Sequence, residues 1–192
     1  AAGASLTGGT GAGLEALSTA GAISIDVKDN VSGAIGIKTE TQTNGATNIA
    51  IGAASTVTGS TAAISAKALN GAVTINNAGT IKGSIAGVLA NGGAASFTLN
   101  NTGTVALTST QNITGFQLVN QSGGVLAGTG NFGSVSAKSG STIRPGDRSV
   151  ASGWGVLSAT SLTLASGAIV DMRADYSGSS DKIAVSGAAA LN

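Results

Sequence analysis

Apolar residues recur every 24 positions through the middle of this chain. Ile25, Ile49, Val73 and Phe97 form one series, and Val27, Ile51, Ile75 and Leu99 form a second. Val57, Ile81 and Val105 keep the same register, as do Gly59 with Gly83 and Ile64 with Val88. The best-matched segments are Val73-Thr-Ile-Asn-Asn-Ala-Gly-Thr-Ile81 and Phe97-Thr-Leu-Asn-Asn-Thr-Gly-Thr-Val105. A fixed period of this size marks a repeat architecture. No single unit buries its apolar face alone, and stacking the units does. The register loosens at both ends. Val31 lies about two residues early relative to Val57, and Leu118-Val-Asn-Gln-Ser-Gly-Gly-Val125 echoes the motif at a spacing of 19.

Within each unit the apolar positions alternate. Val73 and Ile75, and Phe97 and Leu99, point one way, while Thr74 and Thr98 point the other, which is the period of a strand. Asn-Asn-x-Gly follows, and both residue types tolerate positive φ at a turn. A unit of this length holds two or three short strands and their corners. The expected fold is all-β: a right-handed parallel β-helix, a single-stranded solenoid with rungs of about 24 residues. Stacking in this register sets Asn76 over Asn100 and Asn77 over Asn101 as an amide ladder at a corner. Residues 1–22, with Leu14 and Leu17 among glycines, are expected to form an irregular first rung.

Composition points the same way. Gly supplies 31 of 192 residues, charged residues are only 9%, and 42% of the chain is apolar. Disordered chains are usually apolar-poor and charge-rich. Gly and β-branched residues weaken helices. The nine basic residues are scattered and the net charge is +1, so the electrostatic footprint of nucleic-acid binding is missing. No apolar run is long enough for a membrane-spanning helix.

The chemistry of many enzymes is also missing. The chain has no Cys and no His, which removes disulfides, thiolate and imidazole metal sites, and Ser-His-Asp or Cys-His catalysis. Paired carboxylates would be needed for glycoside hydrolysis. The nearest upstream pair, Asp26 and Asp29, brackets Lys28 and reads as a turn. Calcium binding by Asp171 with Asp175 lacks the repeated Gly-Gly-x-Gly-x-Asp pattern. Gly128-Thr-Gly-Asn-Phe-Gly133 has the spacing of a dinucleotide loop, but Val135-Ser-Ala-Lys-Ser-Gly140 after it reads as strand and turn, not the helix that chemistry requires. The expectation is a non-enzyme with no cofactor.

From about Gly128 the 24-residue register stops. Leu162 and Leu164 alternate around Thr163. Val170, Met172 and Ala174 alternate with Asp171, Arg173 and Asp175, whose charges read as a solvated face. Ile183 and Val185 follow the same rule, Pro145-Gly146 marks a turn, and Trp154 falls in a loop-like run. The expected division is 1–127, the repeating rungs, and 128–192, a C-terminal segment continuous with them.

The order of elements in that segment carries a resemblance. Gly128-Thr-Gly-Asn-Phe-Gly133, Ser139-Gly-Ser-Thr-Ile-Arg-Pro-Gly146, Gly155-Val-Leu-Ser, Leu162-Thr-Leu, Ser166-Gly-Ala-Ile-Val-Asp-Met-Arg173 and Ser180-Asp-Lys-Ile-Ala-Val-Ser-Gly187 follow one another. This order resembles the end of autotransporter passengers, where a passenger-associated repeat adjoins an autochaperone segment. The resemblance covers roughly residues 125–192. It implies a Gram-negative passenger at the cell surface or secreted, a β-helical stalk within an adhesin or virulence factor, whose partner is its own C-terminal outer-membrane β-barrel. It also implies that the last third nucleates folding, through Trp154, Leu157, Leu162, Leu164, Val170, Met172, Ile183 and Val185. Two other roles compete with this stalk. One is a binding module for a host-cell surface or matrix receptor on the β-helix face; the other, weaker, is a polysaccharide-acting enzyme.

Overall fold

The computed structural model describes residues 5–90, 92–149 and 153–192. Among them there is no helix, and the named strands pair only in parallel. The chain winds into a β-solenoid of about eight turns. Each coil lays one strand on each of its faces, and coils pair through their strand edges.

The clearest face is an eight-stranded sheet that runs from Ile23–Val27 to Ala189–Leu191. Its inward positions stack in one column: Ile25, Ile49, Ile75, Leu99, Leu118, Val135 and Leu162. A second face stacks Val31, Val57, Ile81, Val105, Leu126 and Ile143. The long strands Asn30–Thr41 and Thr56–Ala68 bend onto a third face, where Ile37, Ile64, Ile85 and Ile113 stack. These columns meet in one apolar core that reaches from Ile23 to Leu162. Full burial of such a side chain contributes about 1.5–3 kcal/mol. Phe97 and Phe116 pack edge to face within this core, with ring centroids 5.3 Å apart.

The repeat is less uniform than the 24-residue period implies. Ile25 does pair with Ile49, and Val73 with Phe97, at 24. Ile49, however, pairs with Ile75 and not with Val73. The reason is local. The corner between Ile51 and Val57 is two residues longer than the corners between Val27 and Val31 or between Asn77 and Ile81. Ile64 pairs with Ile85, and Val88 pairs with Lys67 instead.

The longer corner returns in the C-terminal coils with a sequence signature. After Asn120, Ala137 and Leu164 come Gln-Ser-Gly-Gly, Lys-Ser-Gly-Ser and Ala-Ser-Gly-Ala. Each closes a turn, with the backbone N–H of Gly124, Ser141 and Ala168 donating to Gln121, Lys138 and Ala165 O. The third residue, Gly123, Gly140 or Gly167, has φ of 81°, 73° or 81°. That is the position where a type II turn requires Gly. The turns also stack. Gly123 N donates to Gly140 O at 3.0 Å and Gly140 N to Gly167 O at 2.8 Å.

One expectation for the last third needs correcting. Residues 171–175 do not continue the strand. Pairing stops after Ile169–Val170, and Ala174 makes only an isolated antiparallel bridge to Ser180. Pro145 closes the strand Thr142–Pro145 before Gly146, at φ 79°, redirects the chain. The first coil, Ser5–Thr7 and Ala12–Ser18, pairs with Asn30–Thr41 but leaves Leu17 exposed.

Candidate functional site

The residues expected to form a folding nucleus divide into two groups. Leu157 and Leu162 are buried in the core, and Leu164, Ile183 and Val185 pack half-buried against it. Val170 and Met172 are exposed, Met172 by 47%. The strands Ile169–Val170, Lys182–Val185 and Ala189–Leu191 each pair on one edge only. Among the described residues, no coil lies beyond them to cover these side chains.

The last coils are instead held by a charged clasp. Asp181 is inaccessible to solvent, and its carboxylate is the hub. Its Oδ2 accepts from Arg173 N at 3.0 Å and Arg173 Nε at 3.2 Å, and its Oδ1 accepts from Gly155 N at 3.1 Å. Burial pushes the Asp181 carboxyl up. The hydrogen bonds from the Arg173 side chain and backbone and from Gly155, with the Arg173 charge, more than offset this and hold it below the ordinary aspartate value. Arg173 also donates through Nη2 to Gly153 O at 2.6 Å and Asp147 O at 3.2 Å. Its guanidinium lies 4.9 Å from the Trp154 ring centre, a cation–π distance. Trp154 therefore serves the clasp and not the apolar column. Ala151 and Ser152, of the run that contains it, lie outside the described residues.

Asp171 joins the clasp to the sheet. It accepts from Arg144 Nε at 2.9 Å and Arg148 Nη2 at 3.0 Å. The reading of Asp171 and Arg173 as a merely solvated face is thus incomplete, because both are tied across coils. These two partners of Asp171 are distant in sequence, and only the coil register brings them together. Gly146 must be Gly here. A Cβ at this position would lie 2.4 Å from Asp181 Oδ1 and 2.5 Å from Gly153 O.

At the opposite corner the amides stack as two ladders. Asn100 Nδ2 donates to Asn76 Oδ1 at 3.0 Å on the outside. Inside, Asn77 Nδ2 donates to Asn101 Oδ1 at 2.7 Å, and Asn101 Nδ2 donates to Asn120 Oδ1 at 2.8 Å. Asn120 is a third member that a search at spacing 24 misses, because it lies 19 residues on. The inner ladder starts at Asn77 because Ile51 precedes it in the column, and it ends at Asn120 because Ala137 follows. Each inner amide also donates to a corner carbonyl, such as Asn101 to Gly103 O at 3.1 Å. Buried corners thus keep their backbone groups paired.

Other sequence candidates disperse. Asp26 is exposed and pairs with Lys28 at 3.2 Å. Among the described residues, no three His, Cys, Asp or Glu side chains converge as metal ligands. The Gly128–Gly133 run is followed by the strand Ser134–Ala137 and not by a helix. Outward charges pair from coil to coil, as Lys38 with Glu15 at 2.7 Å and Lys67 with Glu40 at 3.0 Å. Compared with protein-family models, curated proteins and solved structures, the chain matches none.

Proposed function

We propose that this chain is a stretch of an autotransporter passenger: a β-helical stalk at the surface of a Gram-negative bacterium whose C-terminal coils nucleate folding during secretion. The observation that carries the reading is the Arg173–Asp181 clasp in the last coils. A solenoid coil contacts only its neighbours, so folding can spread from whichever end is held in place first. The clasp, the Ser-Gly turns at Gly140 and Gly167 and the buried Leu157 and Leu162 all lie within the segment whose order of elements resembles the end of a passenger. In this reading the partner is an outer-membrane β-barrel encoded on the same polypeptide.

Denaturant unfolding followed by circular dichroism, on residues 1–192 beside 1–127 and 128–192, tests the nucleus. The reading expects 128–192 to fold alone and 1–127 to remain largely unfolded. Equal stability of 1–127 on its own overturns the nucleating role. A secretion assay in which the chain is fused to an outer-membrane barrel tests the context. Removal of 128–192 is expected to abolish surface exposure.

A further inference from the structure

The outward side chains of the eight-stranded sheet form an array that neither the stalk nor the clasp uses. From Thr47–Ile51 to Ser161–Leu164 its strands pair in register and without a bulge. Two outward positions on each strand therefore line up as two rows along the solenoid. Thr74 and Thr98 stand in one row, and Asn76 and Asn100 in the other. Further along, Ser134 and Ser161 continue the first row, and Ser136 and Thr163 the second. Strands lie about 4.8 Å apart and the two outward positions of one strand about 6.6 Å apart, so the rows make a two-dimensional grid roughly 24 Å long.

Along these strands no outward position carries a charged or aromatic side chain. A polyelectrolyte has no charge to pair with here, and a sugar ring has no aromatic face to stack on. Both edges of each strand within this stretch are taken by its neighbours, so a peptide cannot add as a further strand. The grid is also held in place. Asn100 Nδ2 donates to Asn76 Oδ1 at 3.0 Å, and the Ser134 and Ser161 hydroxyls bond at 2.7 Å. Thr74, Thr98 and Thr163 are half-buried and β-branched, with few rotamers to lose. Side-chain ladders of this kind favour a flat sheet.

We infer that this face binds ice. A partner that matches a neutral grid repeating in two directions is itself neutral and repeats in two directions. A crystal does this, whereas a small molecule or a single polymer chain does not. The two spacings of the grid lie close to the oxygen repeats on a prism face of hexagonal ice. Each water of that lattice donates and accepts hydrogen bonds, and so do the hydroxyls and amides of the grid. Their fixed positions cut the ordering cost of binding. Gln117, long and exposed, interrupts the grid between Thr98 and Ser134. The inference is independent of the secretion reading and stands or falls on ice binding alone.

A nanolitre osmometer tests it on the full 192-residue chain, with a single ice crystal as the probe. The crystal is expected to become faceted and to resist growth just below its melting point. Recrystallisation of ice in a frozen sucrose solution should be inhibited as well. Thr98→Tyr should abolish both effects, and Gln117→Thr should lower the concentration at which recrystallisation stops. Thr104→Tyr adds the same bulk at an equally half-buried threonine of the same coil, on the other sheet, and should leave both effects intact. Circular dichroism should show each variant folded like the parent chain. Round, freely growing crystals at millimolar concentration of the parent chain overturn the inference. So does equal loss in Thr104→Tyr. Reversible dimerisation in analytical ultracentrifugation that Thr98→Tyr abolishes, with ice growth unaffected by the parent chain, overturns it too, because the face then receives a second copy.

Discussion

Asp181 Oδ2 accepts two hydrogen bonds from a single residue, Arg173: one from its backbone N–H at 3.0 Å and one from its Nε at 3.2 Å. The pair closes the loop between residues 173 and 181 and fixes the guanidinium over Trp154. The carboxylate has no access to water, so loss of its charge cannot be offset by hydration.

Asp181→Asn should lower stability by about 2–3 kcal/mol, the range for hydrogen bonds to a charged group at a buried site. The effect should also depend on pH. The native carboxyl is held below its ordinary value of 3.8, so the unfolded chain takes up this proton more readily than the native one. The contribution is present above pH 3.8 and is lost as pH falls through the native value. Urea unfolding of both proteins at neutral pH, and again well below pH 3.8, should show the difference between them shrink in acid.

Asn101→Ala breaks the inner ladder on both sides and leaves Asn120 Oδ1 without its donor in a buried corner. The expected loss is about 2–3 kcal/mol. Asn100→Ala removes one exposed amide bond in the outer ladder and should cost less than about 0.5 kcal/mol. Equal losses in parallel denaturant titrations would mean that burial does not set the value of these bonds.

Gly140 combines φ 73° with a tight neighbour, since a Cβ there would lie 2.7 Å from Ser122 Oγ in the turn of the coil before. Gly140→Ala should cost at least about 1–2 kcal/mol from the left-handed backbone alone. Adding Ser122→Ala should recover the steric part and not the backbone part. Full recovery in the double variant, measured by thermal melting, would show that φ carries no cost here.

Leu162→Ala opens a cavity in the inward column and should cost about 2–5 kcal/mol. Met172→Ala, on an exposed side chain, should stay within about 0.5 kcal/mol. The same two changes can be read during secretion. Leu162→Ala should reduce surface exposure there and Met172→Ala should not.

Much of the architecture was legible in the residues. The alternation of Val73 and Ile75 around Thr74 sets strand and face without reference to the rest of the molecule. Asn77 and Asn101 disclose their stacking because they lie one full repeat apart and the intervening coil has no insertion. Asn120 escaped that logic because its coil is shorter, yet Asn and a following Gly-Gly were present as signals. The Ser-Gly corners at Gly123, Gly140 and Gly167 were legible in the same way, once the unit is allowed to vary in length.

The sequence by itself determined the parallel stack, because period-two strands and Gly- or Asn-bearing corners are local properties of a few residues. Which coil positions carry extra residues was decided in three dimensions. The longer corner after Ile51 moves Ile49 onto Ile75, and no local preference forbids the alternative partner Val73. The clasp belongs to the tertiary structure as well. Asp171 and Asp181 meet Arg144, Arg148 and Gly155 from a full coil away in the chain, and the coil register alone sets those distances. The exposure of Val170 and Met172 has the same origin, since an apolar side chain at the end of the stack is buried only where a neighbouring coil covers it.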